Sequence, residues 1–230
     1  LDNQGTLQGS RVGLSFTGDV VNRGNARLVA QKDLTLSAAS LNNQGTLAGD
    51  SVNIITNLLT NVGLLQGNSA LALNSLTPST LVLNNKTGGQ IITGGALTLS
   101  LPQLTNQGLL LSQQGLTLNL DNLDNQGIVQ ARDLGLNIGN QLTNQQSGRL
   151  LAQQGLNLTA ARLDNAGQLA ASNATLAVNI LNNRGVLQGD GGLSITAPTL
   201  NNLTGGKLLS GGQLTLKAGQ LANGGIMQGQ

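Results

Sequence analysis

The chain has 230 residues, with 11 Lys and Arg against 9 acidic residues, all of them Asp, and it has no Cys, His, Trp or Tyr. A net charge of +2 makes no electrostatic footprint for nucleic acid or an anionic membrane, and the absence of Cys removes disulfides, thiolate metal sites and cysteine nucleophiles. With one Phe, leucine must fill whatever core the 39% of hydrophobic residues build.

Read in chain order, the sequence writes one unit repeatedly. Leu1-Asp2-Asn3-Gln4-Gly5 opens it, Gly5-Thr6-Leu7-Gln8-Gly9 follows, and Leu14-Ser15-Phe16 supplies an apolar pair two residues apart. The word L-x-N, with Val20 once in place of Leu, starts again at residues 20, 41, 59, 83, 104, 123, 142, 163, 181, 200 and 221. The mean spacing of about 20 residues is the period of a solenoid. Most units continue with Gly-x-Leu-x-small, where the small residue is Gly, Ala or Ser except at Thr93. The apolar pair then recurs as Leu34/Leu36, Val52/Ile54, Leu71/Leu73, Leu97/Leu99, Leu116/Leu118, Leu134/Leu136, Leu156/Leu158, Leu176/Val178, Leu193/Ile195 and Leu214/Leu216. Apolar residues two apart mark a strand with one buried face, and no helical period accompanies them.

This spacing predicts an all-β chain: one right-handed parallel β-helix over residues 1–230, of about 11 full coils plus a partial one, with three short strands per coil. Two-residue inserts fall at one turn, in Asn85 to Gly89, Asn144 to Gly148 and Asn202 to Gly206. The long coil 59–82 is expected to extrude a loop near 74–80, around Pro78.

Stacking sets the Asn of each unit above the last. Asn3, Asn22, Asn43, Asn61, Asn85, Asn106, Asn125, Asn144, Asn165, Asn183, Asn202 and Asn223 are therefore expected to form an amide ladder at a turn, broken where the inserts displace it. The loop residues Leu76, Thr77 and Pro78 are candidates for recognition, because loops on rigid scaffolds often carry it. Asp121, Asp124 and Asp164 are the carboxylates a polysaccharide-active β-helix enzyme could use, but no His or aromatic platform joins them. The reading is a non-enzyme with no catalytic, cofactor-binding or metal-binding residues and no cofactor. The Gly-Gly pairs lack the spaced Gly and Asp of a calcium nonapeptide coil. A further alternative, a flat ladder that binds ice or a regular polymer, rests on the outward row Ser15, Thr35, Asn53, Ala72, Thr98, Thr117, Gly135, Asn157, Ala177, Ser194 and Thr215, which is irregular. Unpaired edges at the two ends predict end-to-end self-association.

The tandem L-x-N-x-G-x-L-x-[AGS] and L-x-L units resemble the haemagglutinin repeats of large exoproteins exported by two-partner secretion in Gram-negative bacteria. That group includes filamentous haemagglutinins, haemolysin-like exoproteins and contact-dependent growth inhibition effectors. The resemblance covers the whole chain, and its repetition makes it specific. It implies a secreted or cell-surface location and a non-enzymatic shaft for adhesion or for presenting distal domains, with the stalk of a growth-inhibition toxin as the alternative. The implied partners are an outer-membrane transporter and a receptor on a host or neighbouring cell; no nucleic acid and no membrane insertion of this segment are expected. Leu1 is not a Met and no leader precedes it, so the chain is read as an internal fragment.

Overall fold

The computed structural model describes residues 1–78 and 80–230; Ser79, in the loop expected near 74–80, lies outside the described residues. The chain winds into a parallel β-solenoid of about 12 turns with about 19 residues per turn. Among the described residues there is no helix, and so none long and apolar enough to cross a membrane.

Each coil has three sides. The L-x-N word forms the first, Gly-x-Leu-x-small the second, and the apolar alternation the third. The strand Leu109–Ser112 is a second side alone, whereas Gly115–Asn125 runs along a third side and round the corner into the next first side. Gln168–Asn183 and Val186–Asn202 turn two corners without a break. Three separate strands per coil is thus too strict a picture, because the backbone keeps its parallel partners through the corners.

Register is set residue on residue. Leu123 stands between Leu104 and Leu142, and Leu118 between Leu99 and Leu136. These columns are buried, and together with Leu110, Val129 and Leu150 from the second sides they make one continuous aliphatic core along the axis. The small position is small because the corner is tight. A Cβ at Gly67 would collide with the backbone of Ala70, and one at Gly189 with that of Gly192. Where a hydroxyl occupies this buried position it is paired: Ser112 Oγ donates to the carbonyls of Gly95 and Gly115, at 2.8 and 3.1 Å.

Two apolar pairs read from sequence sit one step too far along the third side. Leu36 pairs with Leu14 and Leu34 with Val12, so the first coil contributes Val12/Leu14 rather than Leu14/Phe16. Similarly Leu156 and Leu158 pair with Ala174 and Leu176, not with Leu176 and Val178. The cause is a third inward column on this side, occupied by Ala38, Leu101, Leu120, Ile138, Ala160, Val178 and Ala197, all buried. The outward row is corrected with it: Gly13 replaces Ser15 and Thr175 replaces Ala177.

Irregularities sit at corners. Pairing skips Pro102 between Leu101 and Gln103, and it skips Ala161 at the same corner of a later coil, so the break belongs to the corner and not to the proline. The surplus of the long coil is divided: a register shift between Gly67 and Ala70 absorbs part of it, and the rest leaves the stack after Asn74.

Candidate functional site

The feature common to every coil is the inward asparagine. Asn residues end the first-side strands, as in Ser40–Asn43 and Val82–Asn85, and they are buried except near the carboxyl end. From Asn3 to Asn223, each Nδ2 donates to the Oδ1 of the next Asn at 2.8 to 2.9 Å. The second amide hydrogen goes to a second-side carbonyl of the following coil: Asn106 to Ile128 at 3.2 Å, Asn125 to Arg149 at 3.3 Å. One side chain therefore closes the polar account of a bend, doing what a peptide group does in the flat part of the sheet.

This differs from the expected ladder in two ways. The asparagines are strand residues pointing into the core, and the turn follows them. Left-handed backbone is found at Gly88 (φ 85°) and Gly205 (φ 86°), inside the inserts. The column is also unbroken at the inserts, for Asn85 bonds to Asn106, Asn144 to Asn165 and Asn202 to Asn223. Extra residues bulge outward and in these three coils the chain returns on a glycine, whereas the equally long coil from Val20 returns on buried Ala26. At Gly89, Gly148 and Gly206 a Cβ would collide with the ladder amides and the carbonyls beneath.

The candidate carboxylates are dispersed and mostly engaged. Asp124 and Asp164 flank Thr143 in register, two strand spacings or about 10 Å apart. Gln126 and Gln145 donate to Asp124 at 3.2 and 3.0 Å. Asp164 accepts from Arg162 at 2.7 Å, Asn182 at 2.7 Å and Gln141 at 3.0 Å. Partial burial pushes the Asp164 carboxyl up, but the hydrogen bonds from Arg162 and Asn182 and the Arg162 charge outweigh it and hold it below the ordinary carboxylate range. A carboxyl held ionised in this way cannot serve as the acid half of an acid–base pair. Among the described residues no group of three or more Asp, Glu, His or Cys converges as a metal site would need. Asp121 is exposed, with no side-chain partner among the described residues.

The loop residues Leu76, Thr77 and Pro78 are exposed, Leu76 at 47%. A residue not singled out from the sequence holds the loop. Asn57 Oδ1 accepts from the Thr77 N–H and from Thr80 Oγ1, both at 2.9 Å, and its Nδ2 donates to Thr77 Oγ1 at 3.3 Å. In a chain this rich in Asn, nothing in the letters separates Asn57 from its neighbours. Buried Thr56 was equally silent; its hydroxyl donates to the carbonyls of Ala39 and Leu58, at 3.1 and 3.2 Å.

The haemagglutinin repeat, as a family model, matches residues 92–136, 129–180 and 169–229. The chain is 36% identical over 199 residues to the tRNA nuclease CdiA of Escherichia coli strain NC101, covering 84% of this chain. It is 38% identical over 218 residues to the tRNA nuclease CdiA of Escherichia coli O6:K15:H31 strain 536, covering 90% of this chain. To the 16S rRNA endonuclease CdiA of Enterobacter cloacae subsp. cloacae it is 34% identical over 188 residues, covering 80%. In each case the match spans 6% of the relative's length. No solved structure matches the chain.

Proposed function

Because the chain belongs to the haemagglutinin-repeat family, we propose that it is a non-enzymatic shaft segment of a large exoprotein, exported through an outer-membrane transporter and displayed at the cell surface. The observation that supports this is the in-register stack, in which every side pairs only with its counterpart in the coil before and the coil after. Such a quasi-one-dimensional body transmits length and stiffness. Of the two uses open to a shaft, presenting a toxin domain is favoured over adhesion, since the relatives are named as a toxin and as nucleases. The dispersed, hydrogen-bonded carboxylates of this segment support no catalysis of its own.

A coil exchange tests the reading. In the exoprotein that carries it, residues 1–230 are replaced by the matching coils of the Escherichia coli NC101 relative, and toxin delivery to target cells is measured. A shaft tolerates the exchange. Loss of delivery with surface display intact would show that the segment acts through its own sequence, and the shaft reading would fall.

A further inference from the structure

Of the three outward faces, the second is the apolar one. Two of its columns point to solvent, one through Leu64, Gln90, Leu109 and Ile128, the other through Gln66, Ile92, Leu111 and Gln130. Ile92, Leu109, Leu111 and Ile128 are partly exposed and adjoin one another on neighbouring strands, with no charged residue among them. The outward columns of the other sides are polar, with Asp124, Thr143 and Asp164 on first sides and Thr98, Thr117 and Gly135 on third sides. Aliphatic groups on the outside of a coil add nothing to its core, and they gather where a partner removes them from water.

A second regularity borders this face. Bulges follow Asn22, Asn85, Asn144 and Asn202 at the corner between first and second sides, and two coils with shorter turns separate each bulge from the next. The aliphatic cluster is centred on the strand Leu109–Ser112, one coil beyond the bulge after Asn85. A two-fold axis along that strand sets cluster on cluster, with Leu109 facing Leu109 and Leu111 facing Leu111 of a second copy. It also sets the bulge after Asn85 against the short-turned coil from Leu123, and the bulge after Asn144 against the coil from Leu59, so bulges enter gaps. The cations of the Leu109 column are spaced compatibly: Arg149 meets Leu64 of the second copy, Arg27 meets Val186 and Lys207 meets Thr6, and no cation meets a cation.

We propose that this face is the interface between two copies of the chain, packed side by side and antiparallel about that axis. The pairing is isologous, as a closed dimer requires. A four-residue strand spans about 13 Å and about eleven overlapping coils about 50 Å, so the pair covers about 650 Å² of each copy and about 1,300 Å² in all, within the range of specific interfaces. The contact is lateral and makes no use of the strand edges at the two ends. It does not depend on the shaft reading, because coils that hold distance can do so singly or in pairs.

The test is sedimentation equilibrium of the 230-residue chain from low to high micromolar concentration. A monomer–dimer equilibrium is expected, and Leu109→Gln with Leu111→Gln should weaken it about tenfold or more, equivalent to about 1.4 kcal/mol. Both columns already hold Gln, at Gln90 and Gln130, so this variant keeps its strand and should melt like the parent chain where both are monomeric. Thr117→Gln, outward on a third side, should leave dimerisation unchanged. Because the chain has no Cys, a single introduced one locates the contact. Gln113→Cys, next to the axial strand, should be joined to its counterpart by a bismaleimide. Gln8→Cys should not, since ten strand spacings, about 48 Å, separate it from its counterpart. Vesicles of neutral and of anionic phospholipid form a separate arm. The proposal is overturned if the chain stays monomeric, if dimers survive the double Gln variant or are lost equally with Thr117→Gln, if Gln8→Cys is joined and Gln113→Cys is not, or if the face instead holds a monomeric chain to vesicles.

Discussion

An asparagine facing inward uses both amide hydrogens and its carbonyl, and Leu or Asp in its place cannot. Replacing Asn125 by Leu removes the acceptor of Asn106 and the donor to Asn144 Oδ1 and the Arg149 carbonyl. Stranded buried groups cost roughly 1–3 kcal/mol each, so a loss of about 2–4 kcal/mol is expected at this site. At Asn223, which is exposed and takes bonds only from Asn202 and the Gly225 N–H, the same change should cost under about 1 kcal/mol. Urea midpoints of the two variants measure the difference, and equal small shifts would mean that the column is decorative. Asp164 supplies a pH test. Its folded pKa lies below the unfolded value, near 3.9, so its contribution is full above that value and is lost as pH falls through the folded one. The melting temperature of the parent chain should therefore fall more steeply than that of Asp164→Asn between about pH 5 and pH 2; parallel curves would remove the Arg162 pair from the stability of the coil. The column positions were legible because the chain repeats them. Asn57 was not, since it is a single instance whose meaning depends on what the winding brings beside it.

For the elements, the alternating letters gave away sidedness but left the starting point of each third side ambiguous. That side has three inward positions, so a reading that takes the two loudest residues slides by two wherever the first is weak. Ala174 is weak beside Val178, and Phe16 outweighs Val12, which is why those two coils were misplaced while Leu116/Leu118 was not. A slide by two keeps faces correct. Inward and outward assignments can then be tested where the register is unambiguous. Leu118 is fully buried between Leu99 and Leu136, and Thr117 stands outward between Thr98 and Gly135. Leu118→Asp must bury a carboxylate, with its pKa driven up and a cost of several kcal/mol. Thr117→Asp meets water and should cost less than about 1 kcal/mol. Thermal melts that drop together would contradict the sidedness of this strand. The inserts show why a ladder crosses a length change: they follow the asparagine, leave the stack, and return on a small residue that fits beneath the amides, a glycine in three coils and Ala26 in the coil from Val20.

In the molecule as a whole, stability and length are properties of the stack, since one coil has nothing to bury its leucines against. This makes the shaft divisible at one phase of the repeat and at no other. Gln103, Asn122 and Gln141 occupy equivalent register positions, so deleting Leu104 through Gln141 joins Gln103 to Leu142 with every column continued. Asn85 then meets Asn144, Leu83 meets Leu142, and the shaft shortens by about 10 Å at one strand spacing per coil. Deleting Leu104 to Ser112 instead removes a first and a second side but leaves their third side, so strands face corners and buried backbone groups lose partners. The exoprotein with the first deletion should keep surface display and toxin delivery, while the second should lose both through misfolding, read by protease sensitivity of the displayed protein. Delivery lost after the first deletion, with display intact, would show that these two coils do more than hold distance.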